Sequence, residues 1–175
     1  DAANALGGQD RVAALQSITV EGEGDAPNVG QNRLPDSELP NWKVTEYRRT
    51  TDLTNGRTDM TQVREAQFQF AGALVQRQHQ GLDGDVAVNY PPSGEAARGS
   101  ETQARDRRRE ALHHPLPAIR AALAETSQVS NRREEGDDDV VDVRTAQGDV
   151  IQLAVSRATK LPTRVSMLDG HPNLG

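Results

Sequence analysis

Apolar residues near the start of the chain switch period at Ser17. Leu6, Val12, Ala13, Ala14 and Leu15 recur at helical spacing around Gly7-Gly8, which predicts a short helix near residues 9–16 whose first turn is weakened by two glycines. Ser17-Ile18-Thr19-Val20-Glu21-Gly22 then alternates and is rich in β-branched residues, as a half-buried strand requires. From Gly24 to Trp42 the composition turns to Gly, Asn, Asp and the prolines Pro27, Pro35 and Pro40, which predicts a long loop. Residues 43–53 alternate again, with Thr45, Tyr47, Arg49, Thr51 and Leu53 expected on one face. Thr54-Asn55-Gly56 supplies a turn into a polar strand over 57–64. A second hairpin pairs Leu74 to Leu82 with Val86 to Tyr90 across Asp83-Gly84-Asp85, and Pro91-Pro92 ends it.

The middle of the chain reads as helical. Glu101 to Leu112, after Ser100, is rich in Arg and Ala, and Pro115-Leu116-Pro117 separates it from a second helix. Leu116, Ile119, Ala122 and Leu123 share one face of that helix, and Pro117 suits its first turn. After the polar stretch containing Glu134-Glu135-Gly136-Asp137-Asp138-Asp139, three strands are expected at Val140 to Thr145, Val150 to Ser156 and Thr163 to Leu168. Their short connections suit an antiparallel meander. This order makes an α+β plan, read as one domain over residues 1–175 with an antiparallel sheet on two or three helices.

Composition narrows the function. Of the 175 residues 34% are apolar but only five are aromatic (Trp42, Tyr47, Phe68, Phe70 and Tyr90), which argues against a surface that stacks bases. Twenty basic against 26 acidic side chains leave a net charge of −6, which opposes attraction to nucleic-acid backbones and anionic lipid. The lack of cysteine excludes disulfides, thiolate metal sites and thiol nucleophiles from this chain. No apolar run reaches the roughly 20 residues of a transmembrane helix, and Asp1-Ala2-Ala3-Asn4 begins no signal peptide.

Candidate chemistry is sparse. His79, His113, His114 and His171 fall in no metal-binding spacing, and adjacent His113 and His114 on a helix would point about 100° apart. They read better as helix-end residues beside a C-terminal dipole, His79 as a strand-face residue and His171 as a turn residue. Asp137-Asp138-Asp139 lacks the donor pattern of a calcium loop and reads as a solvated hairpin end, and Asp83-Gly84-Asp85 and Asp169-Gly170 as turns. Arg105, Arg107, Arg108 and Arg109 form the one local concentration of positive charge. Asp106, Glu101 and Glu110 can meet much of it, and the remainder could face an anionic ligand or a docked partner domain. Phosphate loops, dinucleotide fingerprints and the nucleophile elbow are absent, so the residues indicate a domain without catalytic or cofactor-binding residues.

Several stretches read together carry a resemblance. They are Ala5-Leu6-Gly7-Gly8 through Leu15 into Ile18-Thr19-Val20-Glu21-Gly22-Glu23-Gly24, Gly81-Leu82-Asp83-Gly84-Asp85-Val86-Ala87, and His113-His114-Pro115. Leu161-Pro162-Thr163-Arg164-Val165 and Asn173-Leu174-Gly175 complete the set. The chain resembles the N-terminal region of exported bacterial metallo-β-lactamase-fold hydrolases. That resemblance implies a curved half-barrel similar to periplasmic lipoprotein carriers, a periplasmic or secreted location, and a downstream catalytic domain in cis. It also implies truncation before the sheet is finished, with an exposed edge at Arg164 to Leu168. The family's zinc site lies in His-x-His-x-Asp-His, which no position here matches, so no metal or catalytic residue carries over and any zinc belongs to the attached domain.

Two functions follow as expectations. The first is an accessory or substrate-capture domain, with Arg105, Arg107, Arg108, Arg109, His113 and His114 as its ligand or partner face. The second is a stand-alone periplasmic carrier of a lipid or other apolar small molecule, its cavity lined by Ile18, Val20, Val141, Val143, Leu153 and Val155. An enzyme complete within these residues has no motif behind it.

Overall fold

The structure, a computed structural model, describes residues 1–28, 32, 34, 36–68 and 74–167. Pro35, Phe70, Leu168, Asp169-Gly170, His171 and Asn173-Leu174-Gly175 lie outside the described residues. In chain order the elements are α1 (Ala2–Ala5), α2 (Gln9–Ala14), β1 (Ser17–Pro27), β2 (Asn41–Asp52), β3 (Arg57–Ala66), β4 (Val75–Asp83), β5 (Val86–Asn89), β6 (Ala97–Arg98), α3 (Glu101–Ala111), α4 (Pro115–Leu123), β7 (Gln128–Glu135), β8 (Asp138–Arg144), β9 (Val150–Ser156) and β10 (Pro162–Met167). Among the described residues, ten strands in two open antiparallel sheets make a fold richer in sheet than the α+β plan expected, though compatible with it. No described helix is long and apolar enough to cross a membrane. The described residues divide into two compact units, one of Ser17–Arg107 and one of Asp1–Gln16 with 108–167.

The Ser17–Arg107 unit holds a six-stranded meander in the order β1-β2-β3-β4-β5-β6. Its turns use the residues that turns demand. Gly56 and Gly84 take φ of 66° and 58°, and the Asp52 carboxylate accepts from the Thr54 and Asn55 backbone N–H groups. The expected long loop is shorter than its composition suggested, because β1 runs on to Pro27 and Asn28 N donates to Pro40 O at 2.7 Å. Pro27 is tolerated there because β1 is an edge strand whose outer side needs no donor. Around Thr45 the register slips by one residue, since Val44 pairs with Arg64 and Glu46 with Val63. Thr45 therefore drops out of the expected face, and buried Trp42 and Val44 join Tyr47 and Arg49 on one side of the sheet.

That side carries buried Leu82 and Ala87, which cluster with Ala104 of α3. A reciprocal cap starts α3: Gln103 N donates to Ser100 Oγ, and Ser100 N donates to Gln103 Oε1.

The second unit packs helices on a four-stranded meander ordered β10-β9-β8-β7. Register aligns Val141, Leu153 and Val165 in one row and Val143, Ile151 and Met167 in the next. These rows form one core with Ile119 and Ala118 of α4, Val12 of α2 and Ala3 of α1. Arg120 holds the short α2 in place, donating through Nη1 to the carbonyls of Val12, Ala13 and Leu15 that the helix end leaves open. Strand β7 was expected only as polar chain. It is an exposed edge whose pairing rests on ladder bonds and on cross-strand pairs such as Arg133–Asp142, at 3.0 Å, so its residues show no apolar alternation. Gly136, at φ 58°, closes the β7–β8 hairpin, and Asp137-Asp138-Asp139 sits at that hairpin end, as its composition suggested.

Candidate functional site

The basic residues of α3 are spent largely inside their own units. Arg107 is 8% exposed and donates to Gly81 O and Val88 O, each at 2.8 Å, and to Gln80 Oε1 and Asn89 Oδ1. Arg108 Nε and Arg109 Nε reach the two oxygens of Asp149, at 2.8 and 2.9 Å, and Asp149 is 3% exposed. Burial pushes the Asp149 carboxyl up, but the two guanidinium groups outweigh it and hold the carboxyl below its ordinary value. The partners expected from sequence were the neighbouring acids. Arg105, against Asp106 at 3.4 Å, makes such a local pair, and it stays exposed.

His113 is exposed just past α3, whereas His114 belongs to the next helix rather than to a C-terminal dipole. Its Nδ1 accepts from Leu116 N at 3.2 Å, capping α4 ahead of Pro115. An accepting Nδ1 needs the neutral ring, and burial lowers the His114 pKa. The unfolded chain therefore takes up this proton first, so the cap's contribution is present in full above about pH 6.5 and declines as pH falls below it. We expect His114→Ala to cost about 1 kcal/mol at pH 8 and to flatten the decline in melting temperature between pH 7 and 5. An unchanged pH profile would remove His114 from this role.

The six expected cavity-lining residues divide between the units. Val143 and Leu153 are buried in the core beneath α4, with Val141 and Val155 packed against that core. Ile18 and Val20 lie on β1, half-buried and exposed respectively.

An open depression lies on the six-stranded sheet, on the face opposite Leu82 and Ala87. Pairing across β1 to β4 sets Glu21, Arg48, Thr61 and His79 in one row there. Beside that row run Thr19, Thr50 and Asp59 on one flank and Glu46, Val63 and Arg77 on the other. Polar cross-strand contacts hold these side chains upright. Glu21 pairs with Arg48 at 3.0 Å, the Thr19 and Thr50 hydroxyls lie 3.0 Å apart, and His79 Nε2 lies 2.7 Å from Asp59 Oδ1. An ionised carboxylate only accepts, so that imidazole nitrogen carries the proton.

Tyr90 completes the row. Its N–H donates to His79 O, and its ring stacks on the imidazole with centroids 4.1 Å apart and planes 18° apart. The result is a depression of about 800 Å³, walled at one side by Tyr90, Pro91 and Pro92. It adjoins a smaller one of about 380 Å³ beside the Arg57–Asp83 pair.

Nothing in the sequence marked this face as a site, although part of it could be counted. The two-residue turn at Gly84-Asp85 pairs Asp83 with Val86, and counting back along the hairpin sets His79 opposite Tyr90. The β3–β4 connection carries no such short turn, so the placing of Asp59 and Thr61 beside His79 could not be counted. Chemically the face offers cations, carboxylates and the Tyr90 ring around an apolar floor at Val63, which suits binding of a polar molecule. Among the described residues no group of three or more His, Asp or Glu is placed to hold a metal. No protein-family model, curated protein or solved structure matches this chain.

Proposed function

We propose that this chain is a non-catalytic substrate-capture domain, the exported front module of a metallo-β-lactamase-fold hydrolase whose metal and catalytic residues lie in an attached domain. The observation that supports capture is the solvent-open depression on the six-stranded sheet, where Glu21 is braced by Arg48 and His79 by Asp59. Side chains already held in place lose little entropy when a ligand arrives. The module assignment rests on the sequence resemblance, as do the half-barrel comparison and the periplasmic or secreted location.

The carrier reading has less support. A lipid carrier needs an apolar hollow, whereas Val143 and Leu153 are covered by the protein's own α4. The depression that is open is edged by Glu21, Glu46, Arg48 and Arg77, whose charges would lose solvation against an acyl chain.

The reading frame after the codon for Gly175 tests the module half of the proposal. Continuation into His-x-His-x-Asp-His is expected, and an immediate stop codon overturns it. In that full-length hydrolase, Tyr90→Ala is expected to raise KM several-fold with kcat unchanged, as loss of uniform binding does. An unchanged KM overturns capture.

A further inference from the structure

The charged residues of the depression are not equivalent. Arg48 is matched by Glu21, and Asp59 by His79. Glu46 and Arg77 differ: both are exposed, and among the described residues neither has an ion pair or a side-chain hydrogen bond. Register sets them on the two strands flanking Val63, with Glu46 opposite Val63 on β2 and Arg77 opposite it on β4. Val63 is 8% exposed and forms an apolar floor between them. One negative and one positive group, each without a partner, thus stand two strand spacings apart, about 10 Å between their backbones. Closing that gap with each other would draw both long side chains down over Val63 at an entropic cost that an exposed pair recovers poorly.

We propose that the depression takes a zwitterion, a dipeptide with free ends, its ammonium group on Glu46 and its carboxylate on Arg77. The inference rests on the capture reading and names its ligand class. Neighbouring Cα atoms are about 3.8 Å apart, so the end charges of an extended dipeptide lie roughly 5–6 Å apart. Adding a charge-assisted hydrogen bond of about 2.8 Å at each end spans roughly 11 Å, close to the distance between the two side-chain bases. A single amino acid, whose end charges lie closer together, would draw both side chains inward over Val63 at that same entropic cost, and a longer extended peptide would splay them apart. Arg77 can grip the carboxylate through two parallel N–H donors, which fixes the ligand's direction. The exposed edge of Tyr90, 37% accessible at the rim, is left for a ligand side chain.

Titration calorimetry with the whole chain tests this, using alanyl-alanine, its N-acetyl derivative and its C-terminal amide as probes against wild type, Glu46→Gln and Arg77→Gln. Both substitutions are at exposed positions, and unfolding curves of the variants check that they fold. Alanyl-alanine is expected to bind wild type about tenfold more tightly than either blocked form. In Glu46→Gln the acetyl block is expected to cost nothing further, and in Arg77→Gln the amide block nothing further. Equal affinity for free and blocked dipeptides, absence of binding, or variants that behave as wild type would each overturn the proposal. None of these touches the capture reading, whose failure is read separately from the KM of Tyr90→Ala.

Discussion

Arg107→Met is expected to destabilise the Ser17–Arg107 unit by about 3 kcal/mol, because it leaves a set of inward-facing acceptors without a donor. The guanidinium, 8% exposed, donates to two backbone carbonyls, Gly81 O and Val88 O, and to the side-chain oxygens of Gln80 and Asn89. Methionine fills similar volume and restores none of these bonds. Water has little access to replace them, since Gly81 and its neighbour Leu82 are buried. Arg107→Lys is expected to recover less than half of the loss. An ammonium is a point donor and cannot reproduce a planar fork aimed at two strands. Urea unfolding followed by Trp42 fluorescence reports on this unit, and amide exchange at β4 and β5 should accelerate in step. Unchanged exchange there would mean that the four acceptors find other donors.

The second large effect is expected at Asp149, which is 3% exposed beneath two arginines. Arg108→Ala with Arg109→Ala strands a buried carboxylate, at an expected cost of about 3–5 kcal/mol. Asp149→Asn is expected to cost less, because both guanidinium groups keep about a quarter of their side-chain surface in water. The pH dependence follows from the direction of the shift. Burial raises the Asp149 pKa and the two arginines together lower it by more, so the net folded value lies below the unfolded one. The stability this carboxylate contributes is therefore present above about pH 4 and is lost as pH falls through the lowered folded value. Urea midpoints of wild type between pH 5 and 2.5 should fall more steeply than those of Asp149→Asn. Parallel profiles would show that Asp149 titrates alike in both states.

Both effects bear on how α3 reads from its sequence. A run of four arginines within five residues, with acids nearby, has the pattern of a solvated, locally paired helix face. The structure instead sends Arg107 to β4 and β5 and sends Arg108 and Arg109 to an aspartate forty residues away. Local pattern gives no sign of this, because a long flexible cation can serve a distant acceptor as readily as an adjacent one.

What the sequence determined by itself is local: helices where apolar residues recur every three or four positions, hairpins where glycine permits positive φ, and the β8–β9–β10 meander where alternating valines meet short connections. Those signals depend only on backbone preference and on which side of an element is apolar, and neighbouring residues carry both. Tertiary structure decided the rest. The bulge at Thr45 put Trp42 and Val44 on the buried side, ladder bonds made an edge strand of β7 with no apolar pattern, and register across four strands assembled His79, Asp59, Tyr90, Glu46 and Arg77 on one face. Strand register depends on long connections and on the packing of both faces, so residues thirty positions apart become neighbours for reasons that no stretch of the chain contains.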